Sequence, residues 1–178
     1  MSLAVVILAA GQGTRMKSKT QKILHEVGGK PMVQHVFESA ASIADLPPLL
    51  VVGPGETSVS ALLGDRATYA VQPQQLGTGH ATQMAGSPLR GQTDQVLVTY
   101  GDMPLLRAAT MQQLAEEQRL TGAAIALLSV MGDMDSTFGR VMRDERNKVG
   151  EIVEVSEARQ RPNTDDILAV TELNAGIY

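Results

Sequence analysis

The sequence predicts an α/β fold, a Rossmann-like and mostly parallel sheet with helices on both faces. Three observations carry this. Short runs rich in Val, Ile and Leu alternate with segments whose apolar residues recur at helical spacing. The strongest of these runs are apolar throughout rather than alternating, the pattern of strands covered on both faces. Up to about Val130, strand-like runs are separated by helical stretches instead of two-residue turns, which requires crossover connections.

The elements follow in order. "AVVIL" (4–8) reads as a buried first strand. Pro31 opens the next segment at a position a helix start tolerates, and Val33, Val36, Phe37 and Ala40 form a face for packing on the sheet. After the "DLPP" break, "LLVVG" (49–53) reads as a second strand, "ATYAV" (67–71) as a third and "QVLVTY" (95–100) as a fourth. "GTGHATQMA" reads as a short helix entered through a glycine loop, and "RAATMQQLAEEQRL" as an amphipathic helix. "AAIALLSV" is expected to be a further buried strand. In "FGRVMRDERNKVGEIVEVSEA", two strands around "RDERNK" predict a β-hairpin toward the C-terminal end. No repeat, low-complexity tract or linker divides the chain, so residues 1–178 are expected to form one domain.

Composition narrows the function. At 178 residues the chain is long enough to bury a substantial core. Aromatic residues are 3% with no Trp, which counts against a base-stacking platform, and a net charge of −4 counts against a nucleic-acid surface. A small anionic ligand held by a few local cations stays open. The absence of cysteine excludes disulfides, thiolate metal sites and cysteine nucleophiles. No apolar run is long enough to span a bilayer, and "MSLAVVILAAGQG" lacks the positive start of a signal peptide. A cytoplasmic protein without membrane partners is expected.

Ligands of open parallel sheets bind beyond the carboxyl ends of the strands, which is where "LAAGQGTRM" falls. The dinucleotide fingerprint fails, because its third glycine position is Met16 and no acid ends the second strand. A phosphate-binding G-x-x-x-x-G-K-[ST] loop is also missing. What is left is a glycine turn that exposes backbone N–H groups, with Arg15 and Lys22 in reach. It fits phosphate oxygens and a plain tight turn about equally. In "QPQQLGTGHA", the Gln72 amide can read a base edge, Gly77 and Gly79 permit close approach and Thr78 supplies a hydroxyl; an ordinary loop with a Thr cap fits the same residues. The three histidines lack metal-ligand spacing and read as surface or structural residues. In "VLVTYGDMPLL", Asp102 stands beyond a buried strand at the same sheet edge. It can hold Mg²⁺ or turn the chain before Pro104, and its place opposite a phosphate loop favours the metal. Residue pattern alone assigns nothing to Gly139, Glu154 or Asn174.

Taken together, "LAAGQGTRM…QKILHEVGGKPMVQHV", "QPQQLGTGHA", "YGDMPL" and "FGRV…EIVE…LNAGIY" resemble the uridyltransferase domain of bacterial N-acetylglucosamine-1-phosphate uridyltransferases. The resemblance covers nearly the whole chain. "LAAG-x-GTRM" is shared by sugar nucleotidyltransferases broadly, whereas "Q-x-x-Q-LGTGHA" with "YGD-x-PL" is specific to this branch. It implies a nucleotide-diphospho-sugar transferase fold that moves a uridylyl group from UTP to N-acetylglucosamine 1-phosphate, giving UDP-N-acetylglucosamine and pyrophosphate. It further implies that Leu8, Ala9, Ala10, Gly11 and Gly13 bind uridine and phosphate, and that Arg15 and Lys22 neutralise the triphosphate. Gln72, Gly77 and Thr78 would contact uracil, with Tyr100 and Gly101 lining the ribose region and Asp102 holding Mg²⁺. Gly139, Glu154 and Asn174 would hold the sugar.

Two departures stand out. Gln21 occupies the position where the family usually has Pro before the motif lysine, and the family's domain continues past the equivalent of Tyr178 to an Asn that supplies a second metal ligand. A truncated domain is therefore expected here. In the family, a β-helix acetyltransferase domain usually follows, and with it a trimer. The competing readings are a nucleotidyltransferase for another nucleotide, a non-catalytic nucleotide-sugar binding module and, weakest, a dehydrogenase.

Overall fold

In the parallel sheet of this computed structural model, β1 is flanked on both sides, and its sequence shows why. Residues 1–178 are described apart from 12, 14, 15 and 19. The chain forms two compact units, Met1–Ala124 and Ile125–Tyr178.

The first unit begins with β1 (Leu3–Leu8), then β2 (Glu26–Val27), β3 (Lys30–Pro31) and α1 (Met32–Ala41). It continues with β4 (Leu49–Val52), α2 (Ser58–Leu63), β5 (Thr68–Val71), α3 (Thr78–Met84), α4 (Gly86–Leu89), β6 (Gln95–Tyr100) and α5 (Ala108–Thr121). The sheet order is β5-β4-β1-β6, parallel throughout, with Val6 opposite both Leu49 and Val98. Residues Ala4 to Ala10 are all buried, as a continuous apolar run between two covered faces requires.

Alternation along the strands sorts the core. On one face Val6, Leu8, Leu49, Val51 and Val98 pack with Ala81 of α3 and with Ala85. The other face carries Val5 and Ile7, and α1 turns Val33, Val36, Phe37 and Ala40 inward as its spacing predicts. The Asp45 carboxylate of the "DLPP" break accepts the Leu3 N–H at 2.7 Å, anchoring the start of β1. Gly122, at φ 62°, ends α5 in the left-handed conformation that glycine favours. Between β2 and β3 lies a tight hairpin absent from the sequence reading. Gly28 and Gly29, at φ 62° and 78°, supply the two positive angles it needs.

The second unit holds β7 (Ser129–Met131), β8 (Arg140–Arg143), β9 (Val149–Val153), α6 (Val155–Ala158), α7 (Thr164–Leu168) and β10 (Glu172–Asn174). Its sheet is antiparallel in the order β7-β10-β8-β9. β8 and β9 form the expected hairpin, and the Asp144 carboxylate accepts the N–H groups of Arg146 and Lys148 to hold its turn. Val153, Ala158 and Ile167 form its small core.

The expectation for "AAIALLSV" is corrected. Only Ser129–Met131 is strand, Ile125 is 72% exposed, and the strand pairs antiparallel with β10 instead of joining the parallel sheet. An apolar run records a strand tendency but not which partner will supply its hydrogen bonds.

The second unit also buries Arg140 completely, and among the described residues the arginine forms no ion pair. Its guanidinium donates to the carbonyls of Met134 (2.6 Å), Ser136 (3.1 Å), Phe138 and Leu168 (3.5 Å). This arginine is a clamp on the 134–138 loop.

Candidate active site

The carboxyl ends of β1, β5 and β6 open into a cleft of about 410 Å³, lined from Leu8 to Gly11 along its base and by Gly13, Lys22, Gln72, Gly77, Thr78, Tyr100 and Asp102 around it. That volume suits a small-molecule ligand. Sheet hydrogen bonding runs one residue past the strands: Ala9 N–H donates to Val51 O, Gly101 N–H to Leu8 O and Gln72 N–H to Val52 O. It then stops. The N–H groups of Ala10 and Gly11 have no hydrogen-bond partner among the described residues, so they are donors available to an anion.

Two glutamines hold the carbonyl side of the same loop. Gln21 Nε2 donates to Ala9 O at 3.1 Å, and Gln75 Nε2 to Ala10 O at 2.7 Å. Across each peptide plane the carbonyl and the following N–H point in opposite directions, so each contact also fixes the direction of the next N–H. A proline at position 21 could not make the first contact.

Gly13 sits at φ 60°, and a Cβ there would lie 2.4 Å from Lys22 Cβ. Glycine is thus required twice over, by the backbone angle and by the lysine stem packed against it. Lys22 opens a single 3₁₀ turn, Lys22–Leu24, and reaches Asp102: Nζ to Oδ2 is 2.6 Å. Both side chains are about one-third exposed, at 37% and 29%. Among the described residues the Asp102 carboxylate accepts no backbone N–H, so it does not serve as a turn cap here; its partner is the lysine.

Gln72 is buried, and its Nε2 donates to Gly77 O at 3.1 Å and to His80 Nδ1 at 3.1 Å. Both amide hydrogens are thereby committed, which leaves Oε1 as its remaining polar atom, an acceptor. His80 is the structural residue expected of it. Gly77, at φ 98°, precedes α3, and Thr78 Oγ1 lies 3.1 Å from the Tyr100 hydroxyl.

Most of the residues expected to bind nucleotide thus gather in one cleft. Gly101 differs: it does not line the cleft, and its missing Cβ would meet Val33, Ile23 and Ile7 on the core side. Arg15 lies outside the described residues. The sequence reading also missed Ile23, Gln75 and Ala81, which line the cleft. Only Gln75 left a signal, its Q-x-x-Q spacing from Gln72.

Gly139, Glu154 and Asn174 come together within the second unit. Asn174 N–H donates to Gly139 O at 2.8 Å, and a Cβ on Gly139 would come within 2.9 Å of Glu154 Oε1. The Asn174 side chain accepts from Gly176 N–H at 3.0 Å and donates to the Tyr178 hydroxyl at 2.7 Å, so it also serves the turn that "LNAG" suggests.

Among the described residues no group of three or more His, Cys, Asp or Glu side chains could hold a metal ion. Asp102 offers a single hard carboxylate. That donor suits a cation which takes the rest of its coordination from phosphate oxygens and water. No described helix is long and apolar enough to cross a membrane.

Comparison with known proteins identifies the family and the fold. A family model described as "MobA-like NTP transferase domain" matches residues 5–164. A curated relative named "Bifunctional protein GlmU", from Exiguobacterium sibiricum, is 43% identical over 178 residues, covering the whole chain and 38% of the relative. The chain therefore spans well under half the length of that relative. Among solved structures, UDP-glucose pyrophosphorylase complexed with UDP-glucose superposes with a TM-score of 0.69 at 19% identity, covering 99% of this chain and 75% of that one. A more distant neighbour, Rv0371c from Mycobacterium tuberculosis in complex with manganese, gives a TM-score of 0.54 at 19% identity over 65% of this chain and 59% of that one. At these identities the two structures speak for the fold.

Proposed function

The chain belongs to the MobA-like NTP transferase domain family, and we propose that it transfers a uridylyl group from UTP to N-acetylglucosamine 1-phosphate. One observation carries the reading. A single cleft combines backbone donors at Ala10 and Gly11 and the acceptor of a buried Gln72, all without a partner among the described residues, with the Lys22 ammonium and the Asp102 carboxylate.

The chemistry needs no protein nucleophile. A phosphate oxygen of the sugar phosphate attacks the α-phosphorus of UTP. The new P–O bond forms as the bond to the bridging α–β oxygen breaks, and pyrophosphate leaves with the electron pair. The attacking oxygen is already ionised, so no proton has to move. Catalysis then consists of alignment and charge stabilisation.

The N–H groups of Ala10 and Gly11 would bind phosphate oxygens, and Lys22, with Arg15, would offset the charge that builds on the leaving pyrophosphate. Mg²⁺ held by Asp102 would add positive charge against the triphosphate oxygens. Gln72 Oε1 would accept the N3–H of uracil, with Gly77 and Thr78 beside the ring. Tyr100 would contact the ribose, and Gly101, set under the cleft, would keep the backbone close there. Gly139, Glu154 and Asn174 would bind the sugar. The product, UDP-N-acetylglucosamine, would serve peptidoglycan and lipopolysaccharide precursor synthesis in the cytoplasm, and a longer parent would assemble as a trimer.

The test is pyrophosphate release with Mg²⁺ and N-acetylglucosamine 1-phosphate, run with UTP, CTP and GTP, on this chain and on a form carried past Tyr178. Release with UTP at least tenfold faster than with either rival supports the reading. Faster release with CTP or GTP assigns a different nucleotide. Binding of UDP-N-acetylglucosamine without release in both forms leaves a binding module.

A further inference from the structure

We infer that Lys22 occupies the cation seat at Asp102 until a triphosphate draws it away, and that it thereby couples divalent-cation binding to nucleotide binding. The inference rests on the proposed function, in that it takes the cleft to bind a triphosphate and Asp102 to hold a metal ion.

The geometry is specific. Lys22 Nζ lies 2.6 Å from Asp102 Oδ2, and among the described residues neither group has another side-chain partner. The lysine stem cannot retreat, because Gly13 packs against its Cβ so closely that no side chain would fit between them. Only the ammonium end has freedom. A divalent ion on the same carboxylate would stand within a few ångströms of that ammonium, and the like charges would repel strongly. Without nucleotide, the lysine therefore competes with the metal.

A triphosphate changes the balance. The N–H groups of Ala10 and Gly11, unbonded among the described residues, mark where its oxygens would lie in the cleft that Lys22 also lines. Those oxygens would give the ammonium a second anionic partner, and Asp102 would then be released to hold a divalent cation. Linkage makes the effect reciprocal: whatever the nucleotide does for cation affinity, the cation does for nucleotide affinity. The partly exposed setting suits this role, since an ion pair at such a site is weak enough to exchange.

The experiment is Mn²⁺ binding to the nucleotide-free chain, followed by the electron paramagnetic resonance signal of free Mn²⁺, with folding checked by circular dichroism. Lys22→Met is expected to tighten Mn²⁺ binding about threefold to tenfold. Lys22→Arg keeps the charge and is expected to leave binding as in wild type. Lys17→Met removes an exposed charge that does not touch Asp102, and is also expected to leave it unchanged. Adding Asp102→Asn to Lys22→Met should abolish the gain. Equal affinities for wild type and Lys22→Met, or equal gains for Lys22→Met and Lys17→Met, would overturn the coupling while leaving a metal role for Asp102 intact. Mn²⁺ binding that never depends on Asp102 would remove the metal assignment and the coupling together. The pyrophosphate assay still decides the reaction separately.

Discussion

Lys22 and Arg140 are both cations held by the fold, and they are held in opposite ways. Lys22 is about one-third exposed and meets one carboxylate at the tip of a packed stem. Arg140 is fully buried, meets no carboxylate among the described residues and donates to backbone carbonyls. The first arrangement can exchange partners at little cost. The second cannot, because each carbonyl it serves would lose its donor inside the protein. A cation at the rim of the cleft has a replaceable partner, whereas a cation buried among fixed dipoles does not.

The largest effect expected from breaking this contrast is at the buried cation. Arg140→Met should cost about 3 kcal/mol of stability through several orphaned carbonyls, read as a lower urea midpoint. Lys22→Met should leave that midpoint within about 0.5 kcal/mol of wild type, as exposed substitutions do. Comparable losses for both would erase the distinction.

A smaller effect is expected at Gly13. Alanine there must take φ 60° and place its Cβ against Lys22, so the loop has to shift. The backbone term alone is about 1–2 kcal/mol, and misplacing Lys22 should slow pyrophosphate release about tenfold. Gly11→Ala, where a Cβ meets nothing, sharpens the comparison because it should fold as well as wild type.

The smallest effect concerns pH. The Arg143 guanidinium holds the Glu172 carboxyl below its ordinary value of 4.5; burial opposes the shift, and the Ser129 hydroxyl adds to it. A carboxylate with a lowered folded pKa contributes stability that is full above the unfolded value and is lost as pH falls through the folded one. Glu172→Gln should therefore flatten the acid side of the stability profile below about pH 4.5 and change little in slope above it. An unchanged acid limb would show that this pair is not linked to folding.

These contrasts mark what the sequence made legible. β1, β4 and β6 were readable because a strand buried on both faces has to be apolar throughout, and "AVVIL", "LLVV" and "QVLVTY" approach that requirement. The loop after β1 and the aspartate after β6 were readable because parallel strands deliver their carboxyl ends to one edge. "AAIALLSV" was misread because its partner, Glu172–Asn174, lies some forty residues on and leaves no mark on the run itself. The carbonyl contacts of Gln21 and Gln75 were not legible because a loop amide looks the same whether it faces water or holds a carbonyl. Arg140 escaped because arginine reads as surface until the carbonyls around it are seen.

The central claim is that Lys22 and Asp102 serve nucleotidyl transfer in this cleft. Its most direct test is single-turnover pyrophosphate release from UTP and N-acetylglucosamine 1-phosphate with Mg²⁺, comparing wild type with Asp102→Ala and Lys22→Met. A fall of about a hundredfold or more in each variant, with the fold intact by circular dichroism, is the predicted result. Wild-type rates in both variants would contradict the account and leave the Lys22–Asp102 pair a surface ion pair with no part in the chemistry.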